Sequence, residues 1–172
     1  MVRTTRNLRL STAAFLLFAG GCSTPVSLPT PASLDEYEGG IRRGTASISG
    51  EAFSKTKGGD VKIAAGNIIH LDPVTSYSKQ LFQELRKRGL FEVSKEEDTV
   101  KVDPLMLQHR RNARANMVGR FKFSSVAAGD YFVSCYQSWS WYDGRNNYTT
   151  GRWHVARVKV AEGEAKVGNV LY

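Results

Sequence analysis

Gly119-Arg120-Phe121-Lys122-Phe123-Ser124-Ser125-Val126-Ala127-Ala128-Gly129-Asp130-Tyr131-Phe132-Val133 is the stretch that decides the fold. Phe121 and Phe123 alternate with Arg120, Lys122 and Ser124, the period of a half-buried strand. Val126 plugs a turn, and Gly129 permits it. Tyr131, Val133 and Cys135 then resume the inward face, which leaves Phe132 pointing outward or under a loop. Two such strands bury one face of a sheet against another sheet about 10 Å away. Burying a Phe contributes about 1.5–3 kcal/mol, so Phe121 and Phe123 read as core rather than as a site.

The same period extends in both directions. Upstream, Gly44–Phe53 sets Ala46, Ile48, Gly50 and Ala52 against Thr45, Ser47 and Ser49, a strand. Residues 54–60 (SKTKGGD) read as a turn. Val61–Ala64 and Asn67–Leu71 are strands around a bend at Gly66, and Pro73 closes the run. His109–Ala115 also alternates and reads as extended. Downstream, the hairpin continues with Trp139 and Trp141 on the core phase and turns through Asp143–Asn147. It returns as Arg152–Val160, and after a tight turn at Ala161–Glu164 the segment Ala165–Leu171 is a last strand. The period changes once. Leu81, Phe82 and Leu85 fall at helical spacing, Ser76 or Ser78 can cap the start, and Gly89 follows a basic last turn. One amphipathic helix over about 77–88 is expected, then a charged loop at 92–98.

The N-terminus reads as an address. Arg3, Arg6 and Arg9 precede an apolar stretch over residues 10–18, then come Ala19-Gly20-Gly21-Cys22. A basic region, a short apolar core and small residues are the parts of a secretory signal. The apolar run falls short of the ~20 residues that span a bilayer. Ala19–Cys22 resembles the lipobox of bacterial lipoproteins, with Ala19 where leucine is usual. That resemblance implies a signal peptide over 1–21, lipidation of Cys22 and attachment to a membrane. Lipid anchoring strengthens by ~0.8 kcal/mol per buried CH₂. Ser23, where an Asp would mark retention at the inner membrane, implies the outer membrane, at its periplasmic face or the cell surface, if the organism has two membranes. Residues 22–43 then read as the lipidated cysteine and a tether. Pro25, Pro29 and Pro31 lie among Ser and Thr, a composition that reaches up to about 55 Å when extended.

Charge changes meaning once the leader is set apart. The 172 residues carry 24 Lys+Arg and 16 Asp+Glu, a net +8. Residues 1–21 hold three Arg and no acid, so the mature chain is +5. An exported chain is not expected to meet nucleic acid.

The domain, residues 44–172, resembles the carboxypeptidase regulatory-like group of prealbumin (transthyretin)-like β-sandwiches. The resemblance rests on Gly44–Phe53, Gly59–Tyr77, Gly119–Val133 and Val158–Glu164. It implies an all-β, antiparallel β-sandwich in which residues 78–116 are an insertion carrying the helix.

Candidate chemistry is sparse. No phosphate loop, dinucleotide fingerprint or Gly-x-Ser-x-Gly occurs. His70 and Asp72 share a strand face, but no third ligand is placed beside them, so neither a metal nor another cofactor is expected. Two cysteines separate into Cys22 for lipid and Cys135 as a buried core thiol. Arg110 and Arg114 share one face, Arg120 and Lys122 another. If the strands neighbour each other, these four make an outward basic patch suited to lipid A phosphates, phospholipid heads or an acidic partner protein. Tyr142, Arg145 and Tyr148 lie near the hairpin tip, where exposed rings can stack on a sugar or dock a partner. The expectation is a non-enzymatic lipoprotein that binds or scaffolds an envelope protein. The alternative is a carrier of glycan or lipid, and an envelope hydrolase comes third.

Overall fold

The computed structural model describes residues 28–41, 43–56, 58–87 and 101–167. The fold is mostly β. Among the described residues the strands are β1 (Arg43–Glu51), β2 (Phe53–Lys55), β3 (Val61–Ile63), β4 (Ile68–Pro73), β5 (Arg111–Arg114), β6 (Arg120–Val126), β7 (Gly129–Tyr142), β8 (Asn147–Val160) and β9 (Ala165–Val167). They form a three-stranded sheet β6-β1-β9, a four-stranded sheet β5-β4-β7-β8 and the small hairpin β2-β3. All pairings are antiparallel except β1 with β9. The helices are α1 (Leu34–Ile41), α2 (Ser76–Lys87) and α3 (Pro104–His109). None of them is long and apolar enough to cross a membrane.

The predicted alternation builds the first core. Ile48 of β1 and Phe121 and Phe123 of β6 meet Ile69 and Leu71 of β4, Tyr131, Val133 and Cys135 of β7, and Val158 and Val160 of β8. Phe121 and Phe123 pack edge to face, 5.9 Å between centroids. Cys135 is fully buried here. Two glycines are required by geometry. A Cβ on Gly44 would stand 2.3 Å from the Val126 carbonyl oxygen, where β1 crosses the end of β6. Gly119 turns with φ +79. Gly129, expected to supply the turn, opens β7 without a left-handed φ, and the β6–β7 turn is carried by Ala127 and Ala128.

The four-stranded sheet is apolar on its other face as well. Phe132, Tyr136, Trp153 and Val155 pack under Tyr77, Leu81, Phe82 and Leu85 of α2, with Tyr37 of α1 and Met106 of α3, as a second core. Phe132 therefore lies under a helix. The cap of α2 is Thr75. Its Oγ1 accepts the Ser78 N–H at 3.0 Å, and Ser78 Oγ accepts the Thr75 N–H at 2.8 Å, a reciprocal capping box.

Three expectations change. His109 ends α3 rather than opening a strand. Asp103 caps that helix by accepting the Leu105 N–H at 2.8 Å, and Pro104 takes its first turn. Residues 28–41, read as tether, are packed onto the domain. Leu28 and Ala32 join the second core, Tyr37 is fully buried, and Glu36 accepts both the N–H and the hydroxyl of Ser76. Of the segment 54–60, Ser54 and Lys55 already belong to β2. Residues 1–27 and the charged stretch 92–98 lie outside the described residues.

Candidate functional site

The β7–β8 ladder runs from Gly129 opposite Val160 to Tyr142 opposite Asn147 without an offset. Its inward phase passes Tyr131, Val133 and Cys135, then Gln137, then Trp139 and Trp141. The facing sheet covers only the first of these. Beyond Gln137 the hairpin outruns the core, so the core phase continues into solvent. Trp141 is 50% exposed and its cross-strand partner Tyr148 is 40% exposed. Their rings stack at 4.4 Å and 17°. One face of each ring is used in that stack, and the Tyr148 hydroxyl is met by Asn146 Nδ2 at 3.5 Å. Trp139 is half-buried under the Arg152 guanidinium, 5.3 Å from the ring centroid, a cation–π contact. The expectation that Trp139 and Trp141 are core packing is thus corrected for Trp141, because no layer stands opposite it.

The tip is tightly ordered by local bonds. Asp143 Oδ1 accepts the N–H groups of Arg145 at 2.8 Å and Asn146 at 2.7 Å, and Tyr142 donates its hydroxyl to the Gly144 carbonyl at 2.8 Å. Those backbone donors hold the Asp143 carboxyl below its ordinary value. Tyr142 is 63% exposed but sits opposite Asn147, on the reverse face of the ribbon from Tyr148. Arg145 lies in the exposed turn. Sequence reading placed Tyr142, Arg145 and Tyr148 at the tip but missed Trp141 and Arg152. The signal was the hairpin's length, which exceeds the strands that could cover it.

The basic patch does not assemble. β5 and β6 belong to different sheets, and the outer faces of two packed sheets point in opposite directions. Arg120 and Lys122 are exposed on the outer face of β6, where Arg120 pairs with Glu51 at 2.8 Å. Arg114 lies on the edge strand β5 and donates to the Gly66 carbonyl at 2.6 Å. Arg110 is not outward at all. Its side chain is 11% exposed, and its Nε and Nη2 bind the fully buried Asp72 at 2.9 and 3.1 Å. As the C-cap of α3 it turns inward, out of the alternation that sequence assigned to it. Arg111, in turn, bridges the two sheets by donating to the carbonyls of Ser124 and Ser125.

Asp72 and His70 therefore do not form a pair. His70 Nδ1 lies 2.7 Å from Asn112 Oδ1. Burial first, and the Arg110 charge second, push its pKa down to about 4. Between about pH 6.5 and 4 the unfolded chain binds the proton that the folded imidazole refuses, so stability must fall as pH drops through that window. His70→Gln is expected to flatten that part of a pH–stability profile measured by denaturant titration.

A Ser–His pair does occur elsewhere. Ser54 Oγ lies 2.6 Å from His154 Nε2, and Ser54 donates to Gln137 Oε1 at 2.6 Å. With the hydroxyl proton directed to Gln137, His154 Nε2–H is the donor to Ser54, the reverse of what a general base requires. Ser54 is fully buried and His154 is 3% exposed, so no substrate reaches the oxygen. Gln137 Nε2 also holds the Lys62 carbonyl at 2.7 Å, and the group acts as a clamp fastening β2–β3 to the long hairpin. Among the described residues no three His, Cys, Asp or Glu side chains gather around a point where a metal could sit.

No family model matches the chain, and no curated protein matches it. Among solved structures, the fold is similar to the crystal structure of a candidate carbohydrate binding protein from Pseudomonas aeruginosa. The TM-score is 0.68 at 20% identity, over 82% of this chain and 97% of that one. At that identity the likeness is one of fold.

Proposed function

We propose that this chain is a lipid-anchored, non-enzymatic binding module of a bacterial cell envelope that takes carbohydrate at the aromatic end of the β7–β8 hairpin. The observation that carries the reading is the exposed Trp141–Tyr148 pair, set on a ribbon that projects past the core. Open aromatic faces stack on the apolar faces of sugar rings, and nearby amides and guanidinium groups supply hydrogen bonds. The description of the Pseudomonas protein as carbohydrate binding supports the same class of ligand. The arginine-rich leader and the Ala19–Cys22 lipobox support export, lipidation of Cys22 and, through Ser23, an outer-membrane position. The two-sheet body and the four matching segments support a carboxypeptidase regulatory-like, prealbumin-like sandwich.

Docking of an envelope protein is a second reading, favoured by a separate surface. Val61 and Ile63 share the outer face of β3 and are half exposed, and Met117 and Val118 are more exposed still. Gly119 joins these last two to Ile63, its Cβ position lying 3.0 Å from Ile63 Cγ2.

Titration of the mature chain against a panel of soluble glycans tests the proposal. At least one glycan is expected to bind, with affinity falling about tenfold or more in Trp141→Ala and Tyr148→Ala and unchanged in Arg114→Gln. In parallel, Cys22→Ala is expected to move the protein from the membrane pellet to the soluble fraction. No glycan bound, or binding indifferent to both rings, defeats the carbohydrate reading, and a Cys22→Ala chain that stays with the membrane defeats the anchor.

A further inference from the structure

We infer that the carbohydrate taken at the β7–β8 hairpin is an acidic one, and that Arg152 holds the carboxylate of a uronic acid unit beside the Trp141–Tyr148 stack. The inference deepens the reading above and rests on it. The ladder sorts the projecting ribbon into two unlike faces. Residues directly opposite each other share a face, so Gln137 with Arg152 and Trp141 with Tyr148 lie on the inward phase, together with Trp139. The reverse face carries Ser138 with Gly151, Ser140 with Thr149, and Tyr142 with Asn147. There the Ser140 and Thr149 hydroxyls bond each other at 2.8 Å. Both tryptophans and the one arginine of the projecting strands are thus gathered on one side. Arg152 pairs with Gln137, one rung nearer the core than Trp139, so a guanidinium 5.3 Å from the Trp139 centroid has turned toward the tip. Rungs on one face repeat every two residues, about 7 Å. The cation therefore stands about one rung from the Trp141–Tyr148 stack, close enough for one sugar ring or two linked ones to meet both.

Among the described residues no carboxylate pairs with this guanidinium, and its Nε is enclosed without a hydrogen-bond partner. The two Nη groups are then the edge that a ligand meets. Between Gln137 and Arg152 the one acid is Asp143, whose Oδ1 is taken by the Arg145 and Asn146 N–H groups in the turn. On the β2–β3 hairpin, fastened to the ribbon root through the Lys62 carbonyl, Asp60 pairs with Lys62 at 3.9 Å. A half-buried cation set on an aromatic ring and left without a counter-ion favours an anion. The fork of a single guanidinium matches a carboxylate in both geometry and charge, whereas a phosphate brings close to two negative charges.

The test titrates the mature chain with oligomers of galacturonate, mannuronate and glucuronate, each beside its methyl ester, which carries the same rings without the charge. At least one uronate is expected to bind about tenfold or more tighter than its ester, and less tightly as salt is raised. Arg152→Gln is expected to bring the acid down to the level of the ester, leaving the weaker stacking that both share. Arg152→Lys, which keeps the charge and loses the fork, should retain only part of the preference. Trp141→Ala should weaken acid and ester alike. An ester that binds as well as its acid overturns the inference, and that comparison uses the unaltered chain, so it decides the matter whether or not the variants fold. An acid preference that survives in Arg152→Gln with an unchanged melting temperature also overturns it. Tighter binding of a phosphorylated sugar, glucose 6-phosphate, would assign the arginine to phosphate and overturn it too. Neutral glycans bound and uronates refused would sink the inference alone, whereas no glycan of either kind bound would sink the carbohydrate reading itself.

Discussion

Arg110→Met is expected to destabilise the protein by about 3–5 kcal/mol at neutral pH, measured by chemical denaturation. Asp72 is fully buried on the side of β4 that faces the helices, and both oxygens of its carboxylate are held by the one guanidinium. Removing the guanidinium leaves an uncompensated charge in a place water does not reach. Burial already pushes the Asp72 carboxyl above its ordinary range, with Arg110 pulling the other way. Without Arg110 the group escapes its cost by taking a proton, so the deficit should shrink as pH is lowered. Arg110→Met/Asp72→Leu should recover most of the loss, because two apolar side chains remove the charge together with its partner. A double variant no more stable than Arg110→Met alone would mean that the pair is not the origin of the effect.

Tyr37→Ala is expected to cost about as much, roughly 3–5 kcal/mol. Tyr37 is fully buried in the second core and stacks on His109 at 5.4 Å. Burial drives its hydroxyl pKa up to about 12. Its polar contact is a long one, Thr75 Oγ1 donating to the hydroxyl at 3.4 Å, so Tyr37→Phe should lose about 1 kcal/mol or less. The contrast between the two variants isolates packing from hydrogen bonding. A small loss in Tyr37→Ala would mean that α1 is an appendage and that the helical layer closes without it.

These two residues also mark where sequence reading stops. The alternation of Phe121, Phe123, Tyr131, Val133 and Cys135 was legible because every inward residue meets a wall, and burial then enforces the period. The α2 stripe was legible for the same reason at helical spacing. Tyr37 forms a helical spacing with Leu34 and Ile41, but at eight residues, in a stretch rich in Pro, Ser, Thr, Asp and Glu, that period is short enough to be read as tether. Arg110 was misplaced because α3, at six residues, is too short to display one, so its C-cap was taken into the strand that follows. The patch of Arg110, Arg114, Arg120 and Lys122 failed on topology, since local alternation assigns a face to each strand but not a sheet. Tyr148 was found at the tip through its position near the turn. Trp141 was lost because the core phase carries no mark of where the opposing layer ends.

The unbroken ladder of β7 and β8 has one more consequence. Toward the root, from Phe132 to Tyr136 and from Trp153 to Ala156, the strands are covered on both faces, by the facing sheet and by the helical layer, whereas near Tyr142 and Asn147 neither face is covered. Backbone amides should therefore exchange with solvent along a gradient, slow at the root and fast at the end, within a single pair of strands. Such a ribbon can twist at its end to meet a shape while its root stays fixed, and no separate hinge is required.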